Sequence, residues 1–262
     1  MKLLVKLGGT LLDAPASRDA LAAQIAAIRI AGTQIVVVHG GGKQMTRYLA
    51  ERGIESTFVG GLRVTGPETI DAVLKVFAGT VNHELVAALN RAGTLAVGLS
   101  GIDALLAEAV QMDPALGAVG RVIRSNPAVL NVLAENGFVP TIACVAGDRA
   151  GNIYNVNADQ MAVACAGAFA AAQLIFLTDV DGVLDADRRP LPVLTAVESR
   201  RLIESGVATG GMQAKLNAAL AALEAGVRQV RIAPGAAPDV LSRLLSGEEL
   251  GTRIVNATEH AA

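Results

Sequence analysis

Residues 33–52, TQIVVVHGGGKQMTRYLAER, join an apolar run rich in valine to three consecutive glycines and a stretch typical of a helix. The run has the composition of a strand that is buried on both faces of a sheet. A strand, a glycine turn and a helix form the repeating unit of parallel α/β proteins, and the helix N-terminus in such a unit presents backbone N–H groups to an anion. The stretch therefore predicts an α/β fold with a ligand site at this turn.

The same alternation recurs along the chain. Five further apolar runs predict buried strands: LLVKL, TLAVGLS, VPTIACVAG, LIFLTDV and VRQVRIAPG. The stretches between the runs predict helices over 18–31, 44–52, 68–92, 127–136, 159–171 and 213–225. Because parallel strands are connected by right-handed crossovers, this order predicts a three-layer α/β/α sandwich around a mainly parallel sheet. The segment 110–125, which contains Gly117 and Gly120, predicts a β-hairpin.

The 262 residues contain no repeat period and no Pro/Ser-rich linker. We therefore expect two lobes that share one sheet rather than two separable domains. The predicted boundary lies near Ala171, which gives an N-terminal lobe of residues 1–171 and a C-terminal lobe of residues 172–262.

The composition argues against several classes of protein. A net charge of −2 and an aromatic content of 3% provide neither the basic surface nor the stacking platforms of a nucleic-acid binder. The apolar stretch 161–178 is mostly alanine and then β-prone, which predicts a buried helix followed by a strand rather than a membrane span. Cys144 and Cys165 form no C-x-x-C pair, and MKLLVKLGGTLL does not have the features of a signal peptide. We expect a cytoplasmic protein with no nucleic-acid or membrane partner.

Two glycine turns follow predicted strands whose carboxyl ends are expected to meet at one edge of the sheet. Gly8 and Gly9 follow the first strand, which carries Lys6 among apolar residues. A buried charge is costly unless an anion meets it, although a lysine on an edge strand can also extend to solvent. The triple glycine after the second strand matches neither a Walker loop nor a Rossmann fingerprint, so it is another kind of anion site or a tight turn. His39 beside it is expected to be a structural hydrogen-bonding residue.

Polar residues also cluster next to the predicted turns. Arg63 follows a Gly-Gly pair, and its guanidinium is suited to bind a carboxylate through two hydrogen bonds. Asn155, Asn157 and Asp159 lie at the start of the helix at 159–171, whereas a single cap is enough for a helix. The additional polar side chains favour a role for Asn155 in contacting a ligand and for Asp159 in orienting other groups. A polar turn is the alternative.

The C-terminal half offers two more candidates. Asp179, Asp181 and Gly182 follow a buried strand, and because the later positions of a calcium loop are absent they predict a turn or a nucleotide loop. Lys215 lies in the early turns of the helix that follows Thr209, where the helix dipole disfavours a cation unless an anion is near. An exposed helix lysine is the alternative.

The order of KLGGT, HGGGK, GLRVT, NVNADQ, TDVDGVL and TGGMQAK resembles the amino-acid kinase superfamily, and within it the N-acetylglutamate kinases, over almost the whole chain. The resemblance implies the amino-acid kinase fold and transfer of the γ-phosphoryl group of MgATP to the side-chain carboxylate of N-acetyl-L-glutamate, a step of arginine biosynthesis. It also implies that Mg²⁺ is held mainly by the phosphates, with no metal site made by the protein itself. A carboxylate nucleophile is ionised near neutral pH, so the absence of an obvious catalytic base is expected.

The resemblance also implies a role for each motif. Catalysis would fall to Lys6 and Lys215, one from each lobe, with Asp159 holding both lysines and Gly9 donating a backbone hydrogen bond. The acylated amino acid would bind in the N-terminal lobe, to Gly41, Gly42, Arg63 and Asn155. ATP would bind in the C-terminal lobe, to Asp179, Val180, Asp181, Gly182, Val183, Leu184, Val207, Ala208 and Thr209.

Other interpretations stay open. Related kinases act on N-succinylglutamate or on carrier-bound aminoadipate, and Arg63 would serve those substrates too. A non-catalytic amino-acid or nucleotide sensor on the same fold is a further alternative. The stretch GLSGIDALL departs from the family pattern at Ile102. We expect a homodimer joined through the N-terminal lobe and insensitive to arginine, because the first strand begins at once, without the leading helix of arginine-inhibited relatives.

Overall fold

The computed structural model describes residues 1–256. The strands are β1 (Lys2–Leu7), β2 (Gln34–His39), β3 (Phe58–Val59), β4 (Leu62–Arg63), β5 (Ala96–Ser100), β6 (Ala107–Gln111), β7 (Val119–Ser125), β8 (Val139–Ala143), β9 (Val145–Gly147), β10 (Ile153–Val156), β11 (Gln173–Thr178), β12 (Val193–Thr195), β13 (Gln229–Pro234) and β14 (Thr252–Val255). The α-helices are α1 (Pro15–Ile30), α2 (Gly42–Ala50), α3 (Pro67–Val73), α4 (Asn82–Arg91), α5 (Ala128–Glu135), α6 (Ala158–Phe169), α7 (Ala196–Glu204), α8 (Gly210–Glu224) and α9 (Val240–Leu245). A π-helix, Leu74–Val81, joins α3 to α4.

Eight strands form one sheet in the spatial order β12-β14-β13-β11-β1-β2-β8-β5. All neighbouring pairs are parallel except β13 and β14. Helix α1 packs against α4 and α9, and α6 packs against α8, so that helices cover both faces of the sheet. The prediction of a three-layer α/β/α sandwich around a mainly parallel sheet is confirmed.

The middle of the sheet is fully buried because its strands are apolar on both faces. Leu4, Val5, Val37 and Phe176, from the three central strands, have no exposed surface. Strand β1 of the predicted N-terminal lobe pairs with β11 of the predicted C-terminal lobe, so one sheet runs through both. Residues 257–262 of the predicted C-terminal lobe lie outside the described residues.

The structure also contains short elements that the apolar pattern does not predict. Thr195 and Glu198 form a capping box at the start of α7, which is a recognisable sequence signal for a helix. Strands β12 and β14 and helix α9 have three, four and six residues, and windows this short carry no clear period.

One predicted strand is wrong, because VPTIACVAG is two strands: β8 in the large sheet, and β9 in a closed barrel with β6, β7 and β10. The run breaks at Cys144, whose carbonyl accepts a hydrogen bond from the Val156 N–H at 3.1 Å. After β9 the chain turns back because the Asp148 carboxylate accepts hydrogen bonds from the N–H groups of Ala150 and Asn152, at 2.9 Å each. The predicted hairpin at 110–125 is confirmed as β6 and β7, which pair antiparallel.

The predicted change from helix to strand at 161–178 is confirmed by α6 and β11. Among residues 1–256, Pro67–Arg91 is the one helix that is long and apolar enough to cross a membrane, judged by length and composition alone. Because 50% of its most apolar window is buried inside the protein, as in the core helices of globular folds, this helix is weak evidence for a membrane span.

Candidate active site

Two glycine turns meet at the carboxyl ends of the central strands. β1 and β2 are parallel neighbours with Leu7 opposite His39, so the turns that follow them lie side by side. An ideal Cβ atom on Gly9 would lie 3.0 Å from the Gly42 nitrogen and 3.3 Å from the Gly41 nitrogen. Only a glycine at position 9 allows this close approach, which places the N–H groups of the second turn beside the first turn.

A buried carboxylate pairs with two lysines next to these turns. Lys6 Nζ lies 2.6 Å from Asp159 Oδ1, and Lys215 Nζ lies 3.8 Å from Asp159 Oδ2. Lys6 and Asp159 are each 7% exposed, so water screens their attraction only weakly. The structure brings together the three charged side chains that the sequence singled out, from β1, α6 and α8. We call them the charge triad.

Helix position accounts for where the two helical members of the triad, Asp159 and Lys215, lie. Asp159 is in the first turn of α6, where the helix dipole favours a negative charge. Lys215 is in the second turn of α8, where the dipole disfavours a cation, and the Asp159 carboxylate offsets that penalty. The cap of α6 is Asn157, whose Oδ1 accepts hydrogen bonds from the N–H groups of Asp159 and Gln160.

Arg63 is buried at the start of α2, beside the triple glycine. Its Nη2 atom donates hydrogen bonds to Thr46 Oγ1 at 2.8 Å and to the Gly42 carbonyl at 3.2 Å, and Nη1 donates to Ser56 Oγ. Its Cζ atom lies 4.6 Å from the centre of the Phe58 ring. Burial lowers the pKa of Arg63, and the guanidinium still remains charged at neutral pH.

Asn155 lies in strand β10 and not at the start of α6, which corrects the sequence interpretation. Its backbone pairs with Val119 of β7 and Val145 of β9, so barrel pairing determines its position. Its Nδ2 atom donates a hydrogen bond to Thr65 Oγ1 at 3.0 Å, and the Thr65 hydroxyl donates to the Arg63 carbonyl at 2.8 Å. Thr65 therefore connects two predicted substrate-binding residues that are far apart in sequence.

The predicted nucleotide-binding residues surround a cavity of about 520 Å³ beyond the end of β11. Val183 is the exception, because it is fully buried and its N–H donates a hydrogen bond to Thr252 Oγ1 at 2.8 Å. Three further lining residues were not predicted: Asp185, Arg188 and Met212. The polar run DADRR after the predicted loop was the available signal for the first two, whereas Met212 had none.

A second and larger cleft, of about 980 Å³, contains two members of the charge triad, Asp159 and Lys215. The turn of the β3–β4 hairpin and Gly210 and Gly211 at the start of α8 also line it. Thr209 and Met212, from the same helix start, line the first cavity. Residues at the start of α8 therefore line both spaces, and backbone N–H groups and Lys215 favour an anion there.

His39 lines neither space, and its ring makes hydrogen bonds inside the core, as expected of a structural residue. Within residues 1–256 there is no group of three or more His, Cys, Asp or Glu side chains that could hold a metal ion.

Known proteins are similar to this chain over most of its length. The sequence profile of the amino acid kinase family matches residues 1–234, and the chain belongs to that family. A protein of Solibacter usitatus (strain Ellin6076) named acetylglutamate kinase is 75% identical over 257 residues, which is 98% of this chain and 100% of that protein. An acetylglutamate kinase of Acidobacterium capsulatum is 44% identical over 261 residues. That match covers 99% of this chain and 98% of that protein. The resemblance seen in the motifs is confirmed.

Solved structures show the same fold. N-acetylglutamate synthase from Neisseria gonorrhoeae, complexed with coenzyme A and N-acetyl-glutamate, superposes with a TM-score of 0.86 at 28% identity. That match covers 97% of this chain and 59% of the synthase chain. Carbamate kinase from Giardia lamblia bound to AMP-PNP gives a TM-score of 0.72 at 16% identity, with 97% of this chain and 98% of that chain covered.

The charge triad yields a prediction about stability. Replacing Asp159 with Asn leaves Lys6 buried without a counter-charge, and breaking a buried ion pair in this way typically costs about 3–5 kcal/mol of the free energy of unfolding. Urea denaturation measures the loss. The double variant with Lys6→Met and Asp159→Asn should lose less than Asp159→Asn alone, because no unpaired lysine stays in the core. An Asp159→Asn variant as stable as the wild type would contradict this account of the ion pair.

Proposed function

We propose that the chain transfers the γ-phosphoryl group of MgATP to the side-chain carboxylate of N-acetyl-L-glutamate. The observation that carries the proposal is the charge triad, of which Asp159 and Lys215 line the larger cleft. The start of α8, the helix that carries Lys215, also lines the cavity beyond β11. The names of the relatives at 75% and 44% identity support the choice of substrate.

The reaction brings two anions together. A carboxylate oxygen of the acylated amino acid attacks the γ-phosphorus, the bond from that phosphorus to the β,γ-bridging oxygen breaks, and ADP leaves. The product is an acyl phosphate. The carboxylate is already ionised at neutral pH, so no proton has to be removed and no general base is needed. What the site must supply is positive charge and hydrogen-bond donors around the transferring group.

The charge triad meets this requirement from both lobes. Lys6 and Lys215 would each contact oxygen atoms of the transferring phosphoryl group, and Asp159 would hold the two ammonium groups in place. The N–H groups of Gly9, Gly41 and Gly42 would donate further hydrogen bonds to the transferring group, and those of Gly41 and Gly42 also to the acylated amino acid. These backbone positions are fixed and cost no reorganisation during the reaction.

The acylated amino acid would bind in the N-terminal lobe. Arg63 would hold its α-carboxylate, because its guanidinium lies at the N-terminus of α2, where the helix dipole also favours an anion. Asn155 would bind the amide of the acyl group through the side chain that Thr65 now orients.

ATP would occupy the cavity beyond β11. Val180, Leu184 and Met212 provide apolar walls for the base, and Asp179 and Asp181 provide acceptors for hydroxyl or amino groups. The phosphates would point toward Gly210 and Gly211 and the triad, with Mg²⁺ carried mainly by the phosphates as part of the substrate MgATP.

The arginine pathway and the cytoplasm are the proposed setting. Burial raises the pKa of Cys165 to about 12, and both cysteines are buried and free, as suits a reducing compartment. We also propose a homodimer joined through the N-terminal lobe. The exposed apolar side chains of Leu95, Ile123 and Val132 in that lobe support this.

A substrate panel tests the proposed function. Acyl phosphate trapped by hydroxylamine should form from MgATP and N-acetylglutamate at least about tenfold faster than from glutamate, whose ammonium group would have to be desolvated. Reactions with aspartate and without ATP are controls. A faster rate with N-succinylglutamate would favour the related kinase activity. Equal rates with glutamate would contradict the proposal. If no acid gives hydroxamate, the result would favour the alternative of a non-catalytic sensor.

Arg63→Lys tests the placement of the amino-acid substrate. A lysine cannot make two parallel hydrogen bonds, so KM for N-acetylglutamate should rise by about tenfold or more while KM for ATP stays unchanged. Arg47→Lys, on the exposed side of α2, the helix whose first turn Arg63 contacts, is the matched control and should change neither value. A defect confined to KM for ATP would contradict the assignment of Arg63.

A further inference from the structure

His39 is a fully buried histidine that the proposed mechanism does not use, and it directly precedes the triple glycine. Its Nδ1 atom lies 3.0 Å from the Gly40 carbonyl oxygen, and its Nε2 atom lies 2.9 Å from Asn82 Nδ2. Asn82 Nδ2 also lies 2.9 Å from the Thr141 carbonyl oxygen. Every member of this network is in the core, with His39 0% and Asn82 2% exposed.

The partners determine which ring nitrogen carries the proton. Carbonyl oxygens can only accept hydrogen bonds, so Asn82 Nδ2 donates to Thr141 and His39 Nδ1 donates to Gly40. The remaining Nδ2 proton of Asn82 points at His39 Nε2, which must accept. Burial lowers the pKa of His39 to about 4, so the ring is neutral at physiological pH and has one donor and one acceptor, as the network requires.

The surrounding chain is built closely around this network. A side chain at position 98 would collide with Asn82 Oδ1, so Gly98 leaves room for the amide. Asn82 is the first residue after the π-helix, whose Phe77 and Val81 side chains pack under Gly41. An ideal Cβ atom on Gly41 would lie 2.9 Å from Phe77 Cδ1, so the turn has no space in which to shift toward this helix.

The consequence for the site follows from the geometry of the peptide bond. In a trans peptide the C=O and N–H groups point in opposite directions. A Gly40 carbonyl held toward His39 therefore aims the Gly41 N–H away from the core. The Gly41 and Gly42 nitrogens do lie on the side of Gly9, which is in the turn that follows the strand carrying Lys6.

We propose that His39 is a positioning residue, which, through its Nδ1–H bond to the Gly40 carbonyl, aims the backbone donors of the triple glycine at the acylated amino acid. Asn82 sets the tautomer and orientation of the His39 ring. The inference rests on the proposed function, because it assigns the hydrogen bonds to the bound amino acid.

Two matched variants separate the hydrogen bonds of the two ring nitrogens. The amide nitrogen of asparagine is bonded to Cγ, as Nδ1 of histidine is. His39→Asn therefore keeps a donor near the Gly40 carbonyl and loses the hydrogen bond with Asn82. The amide of glutamine reaches one bond further, so His39→Gln keeps an acceptor near Asn82 and loses the donor to Gly40. Urea denaturation measures how much stability each variant loses.

The inference predicts that kcat/KM for N-acetylglutamate is about tenfold or more lower in His39→Gln than in His39→Asn. This is less than the roughly 100-fold cost of removing one preorganised donor, because the backbone donors are displaced and not removed. KM for ATP should be equal in the two variants. Equal values of kcat/KM, or a lower value for His39→Asn, would overturn it, because loss of packing alone does not distinguish the two nitrogens.

A measurement on the wild type keeps the inference testable if either variant fails to fold. The ¹⁵N chemical shifts of the His39 ring should show a protonated Nδ1 and an unprotonated Nε2, and the opposite tautomer would overturn the proposal. Wild-type activity on N-acetylglutamate is assayed alongside. Its absence would count against the proposed function, and the tautomer would still decide whether His39 holds the Gly40 carbonyl.

Discussion

The rest of the site depends on one buried carboxylate. Asp159 lies between an ammonium group on a central strand of the sheet and a second one on α8. Its Oδ1 atom lies 2.6 Å from Lys6 Nζ and its Oδ2 atom lies 3.8 Å from Lys215 Nζ. Without it, two cations would be close together where little water can screen them. With it, β1, α6 and α8 can converge on one point, and the positive charge that a phosphoryl transfer needs is already in position.

Around this carboxylate the fold supplies donors from its backbone. The ends of β1 and β2 are neighbours in a parallel sheet. Because Gly9 has no side chain, the two turns approach closely, and a Cβ atom on Gly9 would lie 3.0 Å from the Gly42 nitrogen. The core supports the second turn from below, through His39, Asn82 and the π-helix. Lys6 and the proposed backbone donors are therefore held by elements at the centre of the sheet, which gives them little freedom to reorient.

Much of the fold and part of the site could be predicted from local sequence. Alternating apolar and helical stretches determine the layers, and Lys6 stood out because a charge in an apolar strand requires a partner. Asp159 stood out as a polar residue beyond what capping requires. The break at Cys144, the placement of Asn155 in a strand and the burial of Val183 depend on pairing between distant segments. A lone Asn82 in an apolar helix likewise carries no local signal for its bond to His39.

The central claim is that Asp159 makes Lys6 and Lys215 act as one unit, and a kinetic double-mutant cycle tests it most directly. Lys6→Ala, Lys215→Ala and the double variant are compared by kcat in the hydroxamate assay with N-acetylglutamate. Each single change should lower kcat by about 100-fold or more, and the double variant should be within about tenfold of the slower single variant, because groups that act as a unit are not additive. Losses that multiply to about 10⁴-fold would show two independent lysines and contradict the account.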